Sequence, residues 1–310
     1  MTAVVTSQPR QGGISEFFYR NSRLLTLALL LPPLLWIGIV YLGSLFALLL
    51  QSFYSLDEFS GLVVHDFTLS TYEQLFTASN LTIILRTAVM AALVTLASAI
   101  VAFPIAYFAA RYARGGWKAM FYLAVMMPLW SSYLVKVYAW KLILAKEGII
   151  TWVAGRLHLG GILDTILSLP IIGGSSLSFS YIGTFIVFVY IWLPYMILPT
   201  QAALERVPKN YIEAAADLGA SPRQTFRTVI LPLALPGVIA GSIFTFSLTL
   251  GDYIIPQIVG NSRPFIGTTV YALQGTAGDI PLAAAFTVVP VVIMGVYLVI
   301  ARRMGAFDAL

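Results

Sequence analysis

The chain has 310 residues, 59% of them hydrophobic and only 10% charged, with 18 Lys and Arg against 13 Asp and Glu. Soluble domains carry about 25% charged residues, so this chain cannot clothe a soluble surface, and its mean hydropathy of +0.88 agrees. The composition excludes a soluble globular enzyme and a disordered chain and describes a polytopic membrane protein. Cysteine is absent, which excludes disulfides, thiolate catalysis, cysteine zinc sites and a lipoprotein anchor. The two histidines, His65 and His158, stand in no metal-ligand spacing.

A helical span needs about 20 mostly apolar residues to cross about 30 Å of hydrocarbon. Six stretches qualify: Leu24–Leu50, Ala88–Ala110, Trp117–Trp140, Ile182–Leu204, Leu233–Val259 and Pro281–Ala301. The first follows a polar segment, 1–23, and is too long for a signal-peptide core, so it reads as a retained helix. The loop Gln51–Thr82 carries Asp57, Glu58, Asp66 and Glu73 with no Lys or Arg. Residues Lys141–Leu169 mix apolar runs with charges and suit short helices at the outer interface. Pro170–Ser180, PIIGGSSLSFS, reads as a Gly/Ser-rich external loop.

Sorting the charges orients the chain. Segments 1–23, 111–118, 205–227 and 302–310 hold twelve Lys or Arg and five acids, a balance of +7, and the remainder carries −2. The positive-inside rule puts those segments, and both termini, in the cytoplasm. The basic balance is thereby accounted for as orientation, with no nucleic acid partner. The expected organisation is a cytoplasmic segment 1–23, a transmembrane domain 24–301 containing a cytoplasmic loop 205–232, and a cytoplasmic tail 302–310.

Few ionisable groups fall at bilayer depth, where they are costly and face a pathway or a partner. Asp252 follows Gly251, and Pro256 can break the helix four residues on. Beside Tyr253 its carboxylate suits an ammonium through charge and cation–π contact. The alternative is a carboxylate at the outer interface, or one paired with Lys136 or Arg86. Lys136 reads either way, with snorkelling the simpler account, and Arg86 reads as an outer anchor preceding the second span. Trp130, Tyr133, Tyr138 and Trp140, and again Tyr190, Trp192 and Tyr195, recur near helical spacing. They form an interfacial belt and helix packing, or else an aromatic cage for a cation, in which Trp130, Tyr190 and Trp192 would join Asp252 and Tyr253. Pro104, Pro128, Pro194, Pro199 and Pro290 are tolerated kinks or points of flexure. No nucleophile–base set or paired carboxylates occur at catalytic spacing.

The stretch ERVPKNYIEAAADLGASPRQTFRTVILP, Glu205–Pro232, has internal order. Pro208 suits a helix start, and Gly219 can take the left-handed conformation that stops a helix. Ser221 and Pro222 supply an N-cap and first position for a second helix ending at Pro232. A hairpin of this size has too little core to stand alone. Its small residues, Ala214, Ala215, Ala216 and Ala220, permit close approach by another surface, and Glu213, Asp217, Arg223 and Arg227 add orientation. It reads as a docking element for a separate protein, or as a merely solvated loop.

The same stretch resembles the cytoplasmic motif of binding-protein-dependent ABC importer permeases. That motif is Glu-Ala-Ala, three residues, Gly, nine residues, Ile, one residue, Leu-Pro. Here it runs Glu213-Ala214-Ala215, Gly219, Val229, Leu231-Pro232, with Val in place of Ile and with the expected position before the penultimate span. The resemblance implies an all-α, six-span type I importer permease whose Glu213, Ala214, Ala215, Gly219, Leu231 and Pro232 belong to a coupling-helix hairpin seated on a separate ATPase. Met126–Gly148, Asp217–Phe226, Leu250–Gly260 and the terminal GAFDAL look like the polyamine (spermidine/putrescine) subfamily. It further implies two ATPase subunits, a second and homologous permease, an external solute-binding protein, and a place in the bacterial cytoplasmic membrane in contact with lipid. ATP and Mg would sit on the ATPase, with no cofactor on this chain, which has no GxxxxGK[ST] phosphate loop. The function implied is ATP-driven import of a small solute by alternating access, without covalent chemistry. The rivals are the same machinery with an amino-acid-like or organophosphonate solute, and an ion-coupled secondary transporter.

Overall fold

The computed structural model describes residues 22–57 and 59–305. Most of the expected N-terminal segment and residues 306–310 of the tail lie outside the described residues. Among those described, the chain is helical apart from one short antiparallel pair, β1 (Ser55–Leu56) with β2 (Val63–Val64), in register Ser55–Val64 and Leu56–Val63. Among the described residues five single helices are long and apolar enough to cross a membrane, and one sharply bent pair of helices is so when the two are taken together.

Helix α1, Arg23–Gln51, is wound as a π-helix over Trp36–Leu42. Pro32 and Pro33 lie just upstream and remove two donors from its ladder. Every residue from 23 to 47 is exposed, and only its last turns, Gly43–Gln51, pack on the final span. The following loop is ordered rather than loose. Ser52 Oγ and Tyr72 Oη share a 2.6 Å hydrogen bond, and Thr71 Oγ1 donates to the Tyr54 carbonyl at 2.6 Å. These contacts seat the short α2, Ser70–Leu75.

The second span, α3 (Ala78–Arg111), starts ten residues before the expected Ala88. The polar residues that masked its start are satisfied on the helix or next to it. Thr82 Oγ1 donates to Ala78 O at 2.7 Å, and Asn80 Nδ2 to Gln74 O at 2.8 Å. Arg86 therefore lies within the span and not before it, and its Nη1 donates to Pro264 O at 2.7 Å.

The expected single span Trp117–Trp140 is two helices, α4 (Gly116–Trp130) and α5 (Tyr133–Ile143), bent by 95°. The elbow is Ser131–Ser132, both in extended conformation near φ −76°, ψ 149° and φ −56°, ψ 129°. Ser131 Oγ and Lys136 Nζ both donate to the carbonyl of Pro128, at 2.9 and 2.5 Å, and so close the end of α4. Two short helices follow as expected, α6 (Ile149–Arg156) and α7 (Gly160–Leu167).

The Gly/Ser-rich loop is partly buried within the protein. Ser176, Leu177, Ser178 and Ser180 are buried. Their polar groups are absorbed locally: Ser178 N donates to Leu144 O at 3.0 Å, and Gly260 N donates to Ser178 O at 2.9 Å. A buried segment of this kind survives because short hydroxyls replace the missing ladder. Ser180 Oγ then caps α8 (Tyr181–Arg206) by accepting from Gly183 N at 3.0 Å.

Helix α9, Lys209–Asp217, ends at Gly219, whose φ of +78° is the left-handed stop. Ser221 Oγ accepts from Gln224 N at 3.3 Å and opens α10, Pro222–Gly251. The second arm of the hairpin does not end at Pro232. It passes through a π-wound turn, Phe226–Ile230, and becomes the fifth span itself. Pro232 and Pro236 each lack the donor their preceding turn would use, and the chain absorbs this by rewinding instead of stopping. Beyond the span come α11 (Ile254–Ile258), α12 (Ile266–Ala272) and α13 (Ile280–Arg303), the last capped by Asp279 Oδ1 accepting from Leu282 N at 3.0 Å.

The centre of the bundle is the mutual packing of α3, α8 and α10. Gly237 and Gly241, four apart on α10, let it approach α8 closely. A Cβ at Gly237 would fall 2.4 Å from Ala203 Cβ and 2.6 Å from the Pro199 carbonyl, and one at Gly241 would fall 2.9 Å from Met196 Sδ. This small-xxx-small arrangement replaces the hydrophobic drive that lipid cannot provide. Helix α13 leans on α10 through stacked Phe246 and Tyr297, 4.6 Å apart.

Candidate functional site

The hairpin is fastened to the bundle at its base. Glu205 Oε1 accepts from Lys118 Nζ at 3.0 Å, Tyr122 Oη at 2.9 Å and Gln201 Nε2 at 3.1 Å. Arg111 Nη2 donates to Val207 O at 3.1 Å. Ile212 and Phe226 turn inward, where Phe226 meets Phe103 and Tyr107 edge-on at 5.7 and 6.1 Å. The opposite face of α9 has no protein neighbour: Glu213, Ala214, Ala216 and Gly219 are exposed and Ala215 is half-buried. Leu231 and Pro232 are also exposed, but they follow directly on the π-wound segment, at the start of the α-helical part of the span. Sequence reasoning missed two residues of the α9 face, Tyr211 and Leu218. Leu218 is 89% exposed at the hairpin tip. Their signal was in the sequence, since 211, 214 and 218 recur at helical spacing.

The second element is a cavity of about 550 Å³ where α4–α5, α8 and the end of α10 converge. Its wall includes Tyr133, Lys136, Trp192, Tyr195, Asp252 and Tyr253. Asp252 marks a break in the fifth span: α10 ends at Gly251 and α11 starts at Ile254. The break therefore precedes Pro256, which sits inside α11 instead of ending a helix. Asp252 makes that break tenable. Its Oδ1 accepts from Ile254 N at 2.7 Å and Ile255 N at 3.0 Å, and its Oδ2 accepts from Tyr133 Oη. Neither Lys136 nor Arg86 pairs with it. Both donate to backbone carbonyls, of Pro128 and Pro264.

Aromatic rings complete the wall. Tyr133 stacks on Trp192 at 5.8 Å and 18°, and Trp192 meets Tyr195 edge-on at 5.9 Å. Tyr253 stacks on Tyr271 at 5.1 Å and 10°. A second cavity of about 470 Å³, lined by Tyr271, Gln274 and Thr287, shares Gly251 and Tyr253 with the first. Of the five residues expected around a pathway, Asp252, Tyr253 and Trp192 come together on the first cavity. Trp130 is 74% exposed and Tyr190 packs on Trp140 at 4.9 Å, and neither is in that wall. Tyr133 and Tyr195 take their places.

Chemically, the cavity offers one carboxylate, one ammonium and several π faces. It can hold and orient a small charged organic molecule.

The family described as binding-protein-dependent transport system inner membrane component matches residues 154–306. The chain is 56% identical to the inner membrane ABC transporter permease protein YdcU of Escherichia coli K12, over 98% of this chain and 97% of that one. It is 29% identical to the spermidine/putrescine transport system permease protein PotB of Escherichia coli K12, over 90% of this chain and 93% of that one. Among solved structures, a bacterial ABC transporter that imports the acidic polysaccharide alginate superposes with a TM-score of 0.68 at 16% identity, covering 94% of this chain and 97% of that one. That likeness concerns the fold alone. The hairpin motif, the broken spans and the full-length similarity converge: this chain belongs to the binding-protein-dependent inner membrane components, the non-catalytic permease subunits of ABC importers, which work with an ATPase and a solute-binding protein.

Proposed function

We propose that the chain is a permease subunit for a polyamine such as putrescine or spermidine. The observation that carries this reading is the placing of the Asp252 carboxylate in one cavity with Trp192, Tyr195 and Tyr253. Aromatic faces and a carboxylate attract an alkylammonium group, by about 0.5–2 kcal/mol per well-placed ring. The similarity to PotB supports the same substrate class.

In this reading both termini and the hairpin are cytoplasmic. Glu213, Ala214, Ala215 and Gly219, with Tyr211 and Leu218, press into a groove of one ATPase, and a homologous permease presents its own hairpin to a second. Closure of the two ATPases around ATP and Mg displaces the hairpins. The loaded binding protein, docked on the outer loops, delivers solute into the cavity, and hydrolysis resets the path. Membership of the family removes the ion-coupled alternative.

A second solute class is favoured by one observation: Lys136 lines the same cavity as Asp252. An ammonium and a carboxylate together suit a zwitterion, such as an amino-acid-like compound, better than a polycation. The deciding experiment is thermal-shift screening of the partner binding protein against polyamines and amino-acid-like compounds, followed by uptake in proteoliposomes containing the whole complex. Saturable putrescine or spermidine uptake that falls at least about ten-fold with Asp252→Asn, from loss of a charge-assisted contact, supports the polyamine reading. Stabilisation by zwitterions alone overturns it.

A further inference from the structure

Two interrupted spans meet at one carboxylate. The elbow Ser131–Ser132 separates α4 from α5, and Asp252–Tyr253 separates α10 from α11. Tyr133 is the first residue of α5, and its hydroxyl donates to Asp252 Oδ2. Oδ1 of the same carboxylate caps α11 through the amides of Ile254 and Ile255. One helical turn after Tyr133, Lys136 closes α4 at the Pro128 carbonyl. Two side chains of α5 thus govern both breaks.

The mechanical setting is asymmetric. Helix α10 continues through its π-wound turn from Pro222, next to the hairpin turn, to Gly251, 30 residues in all. At 1.5 Å per residue it is a lever of about 45 Å. Its far end is the Asp252 joint. Helix α5 packs on α11, α8 and the 177–179 turn, so it stands on the other side of that joint from the lever. Displacement of the hairpin therefore reaches Gly251 through a continuous helix, and the first side-chain tie it loads at the joint is Tyr133–Asp252. A Cβ at Gly251 would meet nothing within 4 Å, so the joint has room to turn.

We propose that Tyr133 is a positioning residue whose hydroxyl latches the Asp252 joint, and that transport requires this bond to open. The inference rests on the reading of the cavity as the solute route. It also gives that reading a coupling step. Both backbone donors hold Oδ1, so the oxygen within reach of a solute ammonium is the one Tyr133 holds. Solute and latch compete for it, and an arriving cation favours the open joint. The ring of Tyr133 is stacked on Trp192, which keeps the hydroxyl positioned at the joint.

The test uses the complete importer, with its ATPases, second permease and binding protein, in proteoliposomes. Tyr133→Phe removes only the hydroxyl and retains the ring stack. Expected is a rise of about three- to ten-fold in ATPase turnover without loaded binding protein, the population shift from losing one net hydrogen bond, together with fewer solutes moved per ATP. ATPase turnover and uptake per ATP equal to those of the parent complex would overturn the latch. A second arm needs no Tyr133 variant. Ser131→Cys, in a chain without other cysteines, reports alkylation at the cavity wall. Its reactivity is expected to rise when ATP and vanadate trap the parent complex, and no change overturns the latch. Protection of the same thiol by putrescine tests the solute route separately, so absent protection with intact latch behaviour indicts only that reading.

Discussion

Replacing Gly237 by alanine is the sharpest available test of how the bundle is held together. The added methyl would sit 2.4 Å from Ala203 Cβ and 2.6 Å from the Pro199 carbonyl. Carbon atoms pack at about 3.5–4.0 Å, so α8 and α10 must separate by roughly 1 Å. Pro199 is a backbone obstacle and cannot swing aside. Overpacking of this kind costs about 1–3 kcal/mol, while alanine in a helix recovers about 0.5–1 kcal/mol over glycine. The net expectation for Gly237→Ala is a loss of about 0.5–2 kcal/mol, or about 1–3 °C in the thermal midpoint of the detergent-solubilised subunit. Gly241→Ala should be milder, because its built Cβ stands 2.9 Å from the Met196 sulfur and 3.0 and 3.1 Å from the Met196 Cα and carbonyl oxygen, each farther than the obstacles at 2.4 and 2.6 Å around Gly237. Gly295, inside α13, has nothing within 4 Å of a built Cβ, so Gly295→Ala should leave the midpoint unchanged or raise it. The assay is fluorescence-detected thermal unfolding of all three variants. An equal or higher midpoint for Gly237→Ala would refute glycine-mediated packing of α8 on α10.

Four further outcomes are expected. Gly219→Pro demands φ near −65° where the hairpin needs +78°, so the assembled importer should hydrolyse ATP without moving solute; retained uptake per ATP would count against the hairpin as coupling element. Leu218→Asp puts a charge on the exposed tip and should weaken copurification with the ATPase about ten-fold or more, as loss of a buried anchor does, with the subunit's own midpoint unmoved. Ser180→Ala strips the cap from α8 and leaves the Gly183 amide buried and unpaired, at a cost of about 1–3 kcal/mol, read as a lower midpoint. Orientation is checked by thiol labelling: Ser221→Cys should react only from the cytoplasm and Ser60→Cys only from outside, and the reverse pattern would invert the topology.

The sequence made the hairpin legible because its punctuation is local. Gly219, Ser221 and Pro222 act within a turn of themselves, and each does in the structure what its chemistry suggests. Hydropathy also located the spans, but hid where they break. Between Trp117 and Trp140 the apolar run continues through Ser131–Ser132, and nothing local reveals that Lys136 folds back to hold the Pro128 carbonyl. At Asp252 the reverse happened: Pro256 looked like the breaker, yet the carboxylate itself ends the helix by capping the next one. The cavity wall was only half legible for a related reason. Helical spacing pointed to Trp130 and Tyr190, but the 95° elbow turns α5 so that Tyr133 faces the cavity instead. The Gly237–Gly241 pair went unread, because the meaning of such a spacing depends on which helix lies opposite.

The loose seating of α1 has a consequence for synthesis. Its only packed turns, Gly43–Gln51, meet α13, Ile280–Arg303. The earlier of these two helices thus waits for the later one. Some 230 residues separate them, and at roughly 5–20 residues per second the delay is about 10–50 s. During that interval α1 must persist in the bilayer as an isolated apolar rod, which the exposed, largely apolar surface of residues 23–47 permits. That contact can form only once α13 has been made, so premature termination anywhere before α13 leaves α1 without the helix it packs on.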